Sequence, residues 1–120
     1  MEVKIANRSG VAIVRLEGKL AAGAGDRQLH ALIDELLADN RRSILLDLSK
    51  VSGIDSSGVG ELVAGLRVTR EMGGELKVLK VVGAVHRILA LTQALPLFDV
   101  YEDEDDAIAA FGGAAEKASS

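Results

Sequence analysis

Hydrophobic and polar residues alternate over residues 2–8, with Val3 and Ile5 on one face, and the alternation predicts an edge strand. Asn7, Arg8, Ser9 and Gly10 supply turn residues, so residues 11–16 are expected to return beside it as a hairpin. After a small-residue connection at 21–25, Leu29, Leu32, Ile33, Leu36 and Leu37 recur at spacings of three and four. That spacing predicts an amphipathic helix over 26–40, with Asp26 as its N-cap and Asn40 at its end. The apolar run Ile44 to Leu48 reads as a strand covered on both faces. A second helix is expected over 57–72, stopped by Gly73 and Gly74. Its residues Val59, Leu62, Val63 and Leu66 fall on one side and should face the sheet. The opposite side, Glu61, Ala64, Gly65, Val68 and Met72, is less charged than a purely solvated face.

Residues 76–82 form another apolar strand, joined to the preceding one through the helix as a right-handed βαβ crossover. Val85, Ile88, Leu89 and Thr92 mark a short helix that Pro96 helps to end before a final strand over 97–101. Asp103 and Asp106 resemble a capping pair for a last helix running through Phe111. The expected order is ββαβαβαβα: an α/β domain over residues 2–111, with a five-stranded mixed sheet and about four helices, then a frayed tail at 112–120.

Composition narrows the functions open to such a domain. The chain has 120 residues, enough for one domain, and is 48% hydrophobic and 27% charged, with two Phe, one Tyr and no Trp. Its core must therefore be aliphatic, and it lacks an aromatic platform for stacking bases or sugars. A net charge of −4 disfavours nucleic acid and acidic membrane surfaces. Without cysteine there is neither a disulfide framework nor thiol chemistry. The start, Met1 to Lys4, lacks the features of a signal peptide, and no apolar run approaches membrane-spanning length, so a cytoplasmic protein is expected.

The candidate chemistry lies between the third strand and second helix, in Val51-Ser52-Gly53-Ile54-Asp55-Ser56-Ser57-Gly58-Val59-Gly60. Here backbone N–H groups and serine hydroxyls meet at a helix N-terminus, where a phosphate is electrostatically welcome. The ordinary role of Ser56 and Ser57 would be helix capping, and spacing does not choose between them as a phosphorylation site. A nucleophile elbow is disfavoured by the missing G-x-S-x-G pattern, and His30 and His86 read as surface residues, which leaves a serine hydrolase a distant third reading. Gly58 and Gly60 are not followed by the lysine of a phosphate-binding loop. The acidic run at 102–106 lacks calcium-loop spacing, so neither a metal nor a cofactor is assigned.

Asp47-Leu48-Ser49-Lys50-Val51, followed by Ile54-Asp55-Ser56-Ser57-Gly58-Val59-Gly60, resembles the signature D-L-S-x-V-x-x-I-D-S-S-G-L-G of STAS domains, in the branch of bacterial anti-sigma factor antagonists. The resemblance extends over residues 2–111. It implies that Ser56, preceded by Asp55, is the phosphorylated serine. It also implies two partners. One is an anti-sigma factor that is itself a serine kinase, bound by the unmodified form and using its own ATP and magnesium; the other is a serine phosphatase that restores binding. Control of transcription would then be indirect, without nucleic acid, membrane or small-molecule substrate. The expected docking surface comprises Asp55, Ser56, Ser57, Gly58, Gly60, Glu61, Ala64, Gly65, Val68 and Met72. The chain departs from the family at Ala21, where many antagonists carry Asp after G-x-L, and mildly at Val59. A constitutive STAS scaffold in a stress-signalling or transporter-associated complex, without phosphate turnover, is the alternative.

Overall fold

A computed structural model describes residues 1–112 of the chain. The elements follow the expected order: β1 (Glu2–Arg8), β2 (Val11–Leu20), α1 (Gly25–Ala38), β3 (Ser43–Ile54), α2 (Ser56–Glu71), β4 (Glu75–Leu79), α3 (Gly83–Leu91), β5 (Val100–Tyr101) and α4 (Glu104–Ala109). The five strands lie in sequential order in one sheet. β1 and β2 are antiparallel, and every later neighbour is parallel. Such crossovers need helices to carry the chain back across the sheet.

Leu29, Ile33, Leu36 and Leu37 of α1, Val59, Leu62 and Leu66 of α2, and Val85 and Leu89 of α3 share one core with Val14, Leu16, Ile44, Leu46 and Leu48. The opposite sheet face buries Val11, Ile13, Leu45 and Leu79 beneath Ala107 of α4 and Phe111. β3 is thus covered on both faces, as its apolar run required. The second face also holds Lys77, whose Nζ lies 3.1 Å from Asp99 Oδ2 and 5.3 Å from the centroid of the Phe111 ring. Arg8 and Arg15 anchor α4: Arg8 pairs with Glu104 at 2.6 Å and Asp105 at 2.7 Å, and Arg15 with Glu104 at 2.7 Å and Asp47 at 2.9 Å. Asp103 caps α4 by accepting from Asp106 N, so the acidic run serves one cap and three ion pairs.

Several boundaries differ from the sequence pattern. β2 continues to Leu20 rather than Leu16, and β3 to Ile54 rather than Leu48. Each extension pairs with the other through two register shifts, so the polar residues there gain ladder partners despite lacking apolar periodicity. β4 stops at Leu79, where Lys80 takes a positive φ of 58°. Leu97, expected in a strand, lies in a 3₁₀ turn at Leu95–Leu97, with Pro96 at its start. Asp26 does not cap α1: the chain already turns helical at Ala24, and Asp26 Oδ1 accepts from Arg27 N. Backbone carbonyls supply this helix start instead, Ala21 O to Asp26 N and Ala24 O to Gln28 N. The expected tail falls outside the described residues except for Gly112.

Candidate functional site

β3 pairs with β4 only as far as Asp47 and then continues to Ile54 against β2 alone. The serine turn therefore stands at the carboxyl end of the β2–β3 pair, beyond the ladder shared with β4. Asp55 is extended (φ −119°, ψ −175°) and forms the N-cap of α2. Its Oδ1 accepts from Gly58 N at 3.0 Å, and its Oδ2 from Ala22 N at 3.0 Å. One carboxylate thus caps the helix and ties the β2–α1 loop to the turn. These bonds, the Ala22 N–H first and then Gly58, hold the Asp55 carboxyl below the usual carboxylate range.

The serines are consequently not caps. Ser56 is the first residue of α2 and is exposed, whereas Ser57 is half-buried. Among the described residues, neither hydroxyl is engaged in a hydrogen bond. The capping role expected of them belongs to Asp55, whose longer reach lets it accept two N–H groups at once.

Two glycines on the expected docking surface are structural instead. A Cβ on Gly58 would collide with Leu20 O and lie 2.8 Å from Ile54 Cγ1, so the helix can sit on the end of β2 only through a glycine. A Cβ on Gly65 would lie 2.5 Å from Ile33 Cδ1. Gly65 is buried because α1 packs beside α2, a neighbour that a helical projection does not reveal. For the same reason Val68 is half-buried, and Glu61 Oε2 lies 3.1 Å from His30 Nδ1 across the two helices. A cleft of about 110 Å³ remains there, lined by Ile33, Ala64 and Val68 among others. Gly60 is exposed with nothing near its missing Cβ, and Ala64 and Met72 are exposed.

The structure brings one feature to the serine turn that sequence reasoning missed. The Ala22–Ala24 backbone is exposed beside Asp55, with no signal beyond small residues. Elsewhere on the surface, Val82 is 51% exposed at the start of α3. An apolar residue directly before Gly83 was the available hint. His30 and His86 are both exposed, and among the described residues neither is hydrogen-bonded to Ser56 or Ser57. No helix among the described residues is long and apolar enough to cross a membrane.

Two other carboxylates join Asp55 below their ordinary values. At Asp47 burial acts upward but is outweighed by hydrogen bonds from Ser49 and Arg15; at Glu104 the Arg15 hydrogen bond dominates. A folded-state value below the unfolded one contributes stability above the unfolded pKa, lost as pH falls through the folded one. Urea denaturation should therefore give constant stability from pH 7 to about 5 and a progressive loss below about pH 4. Asp55→Asn should flatten part of that loss. A profile unchanged by the substitution would show that the clasp does not depend on charge.

Comparison with known proteins gives a consistent picture. The family model of the STAS domain matches residues 2–107. The anti-sigma F factor antagonist of Paenibacillus polymyxa is 27% identical over 108 residues, covering 90% of this chain and 92% of that one. The structure of an anti-sigma factor antagonist from Mycobacterium paratuberculosis is similar with a TM-score of 0.74 and 25% identity, covering 92% of each chain. The phosphorylated form of the Bacillus cell fate determinant SpoIIAA shares the fold, with a TM-score of 0.69, 20% identity and coverage of 89% of this chain and 96% of that one.

Proposed function

Because the chain belongs to the STAS domain family, we propose that it is an anti-sigma factor antagonist switched by phosphorylation of Ser56. The reading is carried by one observation: Ser56 is exposed at the first position of α2 with its hydroxyl unengaged among the described residues, while Asp55 does the capping. The hydroxyl can be modified without removing a cap. In the unmodified state, the exposed Ala22–Ala24 loop, Ser56 and Gly60 offer a neutral surface of small residues to an anti-sigma factor with serine kinase activity. Phosphate adds about −1.5 to −2 charges beside the already ionised Asp55, and a partner surface desolvated against the turn then meets a concentrated negative charge. A serine phosphatase would reverse the change. Asp55, Ser56, Ser57, Gly60, Ala64 and Met72 remain the proposed contacts from the sequence reading; Gly58 and Gly65 support the surface from beneath it.

Calorimetric titration with the cognate anti-sigma kinase tests this reading. Ser56→Asp should weaken binding about tenfold or more, equivalent to about 1.4 kcal/mol. Ala64→Arg, on the exposed side of α2, should weaken it comparably while leaving the thermal melt unchanged. Equal affinities for wild type and Ser56→Asp would instead favour the constitutive scaffold.

A further inference from the structure

The two edges of the sheet are unlike. β5 is two residues long and offers little to pair with, whereas β1 runs unbroken for seven residues, without proline or a register shift against β2. Natural sheets blunt an edge strand by shortening, bulging, covering or charging it; among the described residues β1 is neither short nor bulged, and its charges Glu2, Lys4 and Arg8 are of both signs. Its side chains are ordered by face. Val3 and Ile5 oppose Leu16 and Val14 on the side of α1–α3; Glu2, Lys4, Ala6 and Arg8 lie on the side of α4.

We propose that β1 is the contact of a symmetric dimer, pairing antiparallel with β1 of a second copy about a two-fold axis at Ile5. In that register Ile5 meets Ile5, Val3 meets Asn7, Lys4 meets Ala6, and Glu2 meets Arg8 twice. Opposed residues share a face, so the register joins each sheet to its mate without turning any side chain over. Ile5, 42% exposed at the edge, gains an apolar neighbour. Glu2 gains more, because its own ladder partner is Glu17, a like charge directly opposite. Within the chain's own sheet Lys4 lies next along the same strand face and Arg15 diagonal to Glu2, and the incoming Arg8 places a positive charge directly opposite it. Arg8 is 46% exposed and donates to Glu104 and Asp105 through Nη1 and Nη2, so other guanidinium N–H donors remain for a third carboxylate. The two Lys4 residues lie diagonal to each other and oppose the contact weakly. The pairing makes no use of the Ser56 turn.

An interface of this size fits a reversible dimer, with a dissociation constant on the order of 100 µM. Sedimentation equilibrium at low salt, at protein concentrations up to about 1 mM, should therefore show monomer–dimer exchange that weakens as salt is raised. Glu2→Arg alone sets two guanidinium groups against each other at both ends of the paired strands, and Arg8→Glu alone sets two carboxylates there. Each should weaken self-association about tenfold. Mixing the two variants restores opposite charges at both ends and should recover association between unlike chains. Ile5→Lys, which places like charges at the axis, should abolish it, with circular dichroism confirming an intact fold. A strictly monomeric wild type overturns the proposal, as does a dimer indifferent to Ile5→Lys and to the charge exchange.

Discussion

Ser56→Ala should eliminate the incorporation of labelled phosphate from the cognate anti-sigma kinase, and Ser57→Ala should leave most of it. The contrast rests on exposure and position. Ser56 opens α2 and faces solvent, whereas Ser57 is half-buried one residue further into the helix. A kinase must surround the hydroxyl it modifies, and only Ser56 can be surrounded without displacing the helix. Neither substitution removes the cap, since Asp55 supplies it, so both variants should melt within about 0.5 kcal/mol of wild type. Retained phosphorylation in Ser56→Ala, with loss in Ser57→Ala, would move the modified position by one residue and reassign the surface around it.

Gly58→Ala is expected to destabilise the domain by about 3 kcal/mol or more, lowering the melting temperature by roughly 10 °C. Its methyl group would be driven into Leu20 O and to 3.0 Å from Leu20 C, both backbone atoms of β2, and to 2.8 Å from Ile54 Cγ1. A backbone carbonyl held in a sheet cannot step aside as a side-chain tip can. Gly60→Ala, two residues along the same helix, meets nothing and should stabilise by roughly 0.5–1 kcal/mol through the better helix propensity of alanine. Opposite signs at two glycines so close in sequence isolate the effect of the contact with β2. If thermal melts show both substitutions to be neutral, α2 does not sit on the end of β2 as described.

The ion pairs of α4 illustrate a limit of sequence reading. The acidic run at 102–106 was visible as a helix start, and Asp103 caps it as expected. That Arg8 and Arg15 would reach Glu104 and Asp105 was not visible, because the partners lie about ninety residues apart in sequence, and only the β1–β2 hairpin brings the arginines to that face. The docking surface shows the same limit more sharply. Helical periodicity correctly sent Val59, Leu62 and Leu66 into the core. It could not show that α1 would lie along the next face and cover Gly65 with Ile33. A small residue on an exposed-looking face reads identically whether a partner or the chain itself fills the space.

Local physics is what the sequence by itself determined. The order and type of every strand and α-helix, the double coverage of β3 and the position of the serine turn between strand and helix follow from residue periodicity and turn chemistry, which act over a few positions. The tertiary structure alone decided what each small residue is for. The carboxylate of Asp55 could reach Ala22 N only once β2 and β3 had paired beyond Asp47. The cap itself is local, Asp55 to Gly58; the second bond ties it to the loop, and among the described residues the Ser56 hydroxyl is left free. Gly58 became a point of contact because the same pairing set Leu20 O beneath it. These assignments depend on distances between segments remote in sequence, which packing fixes and periodicity does not encode.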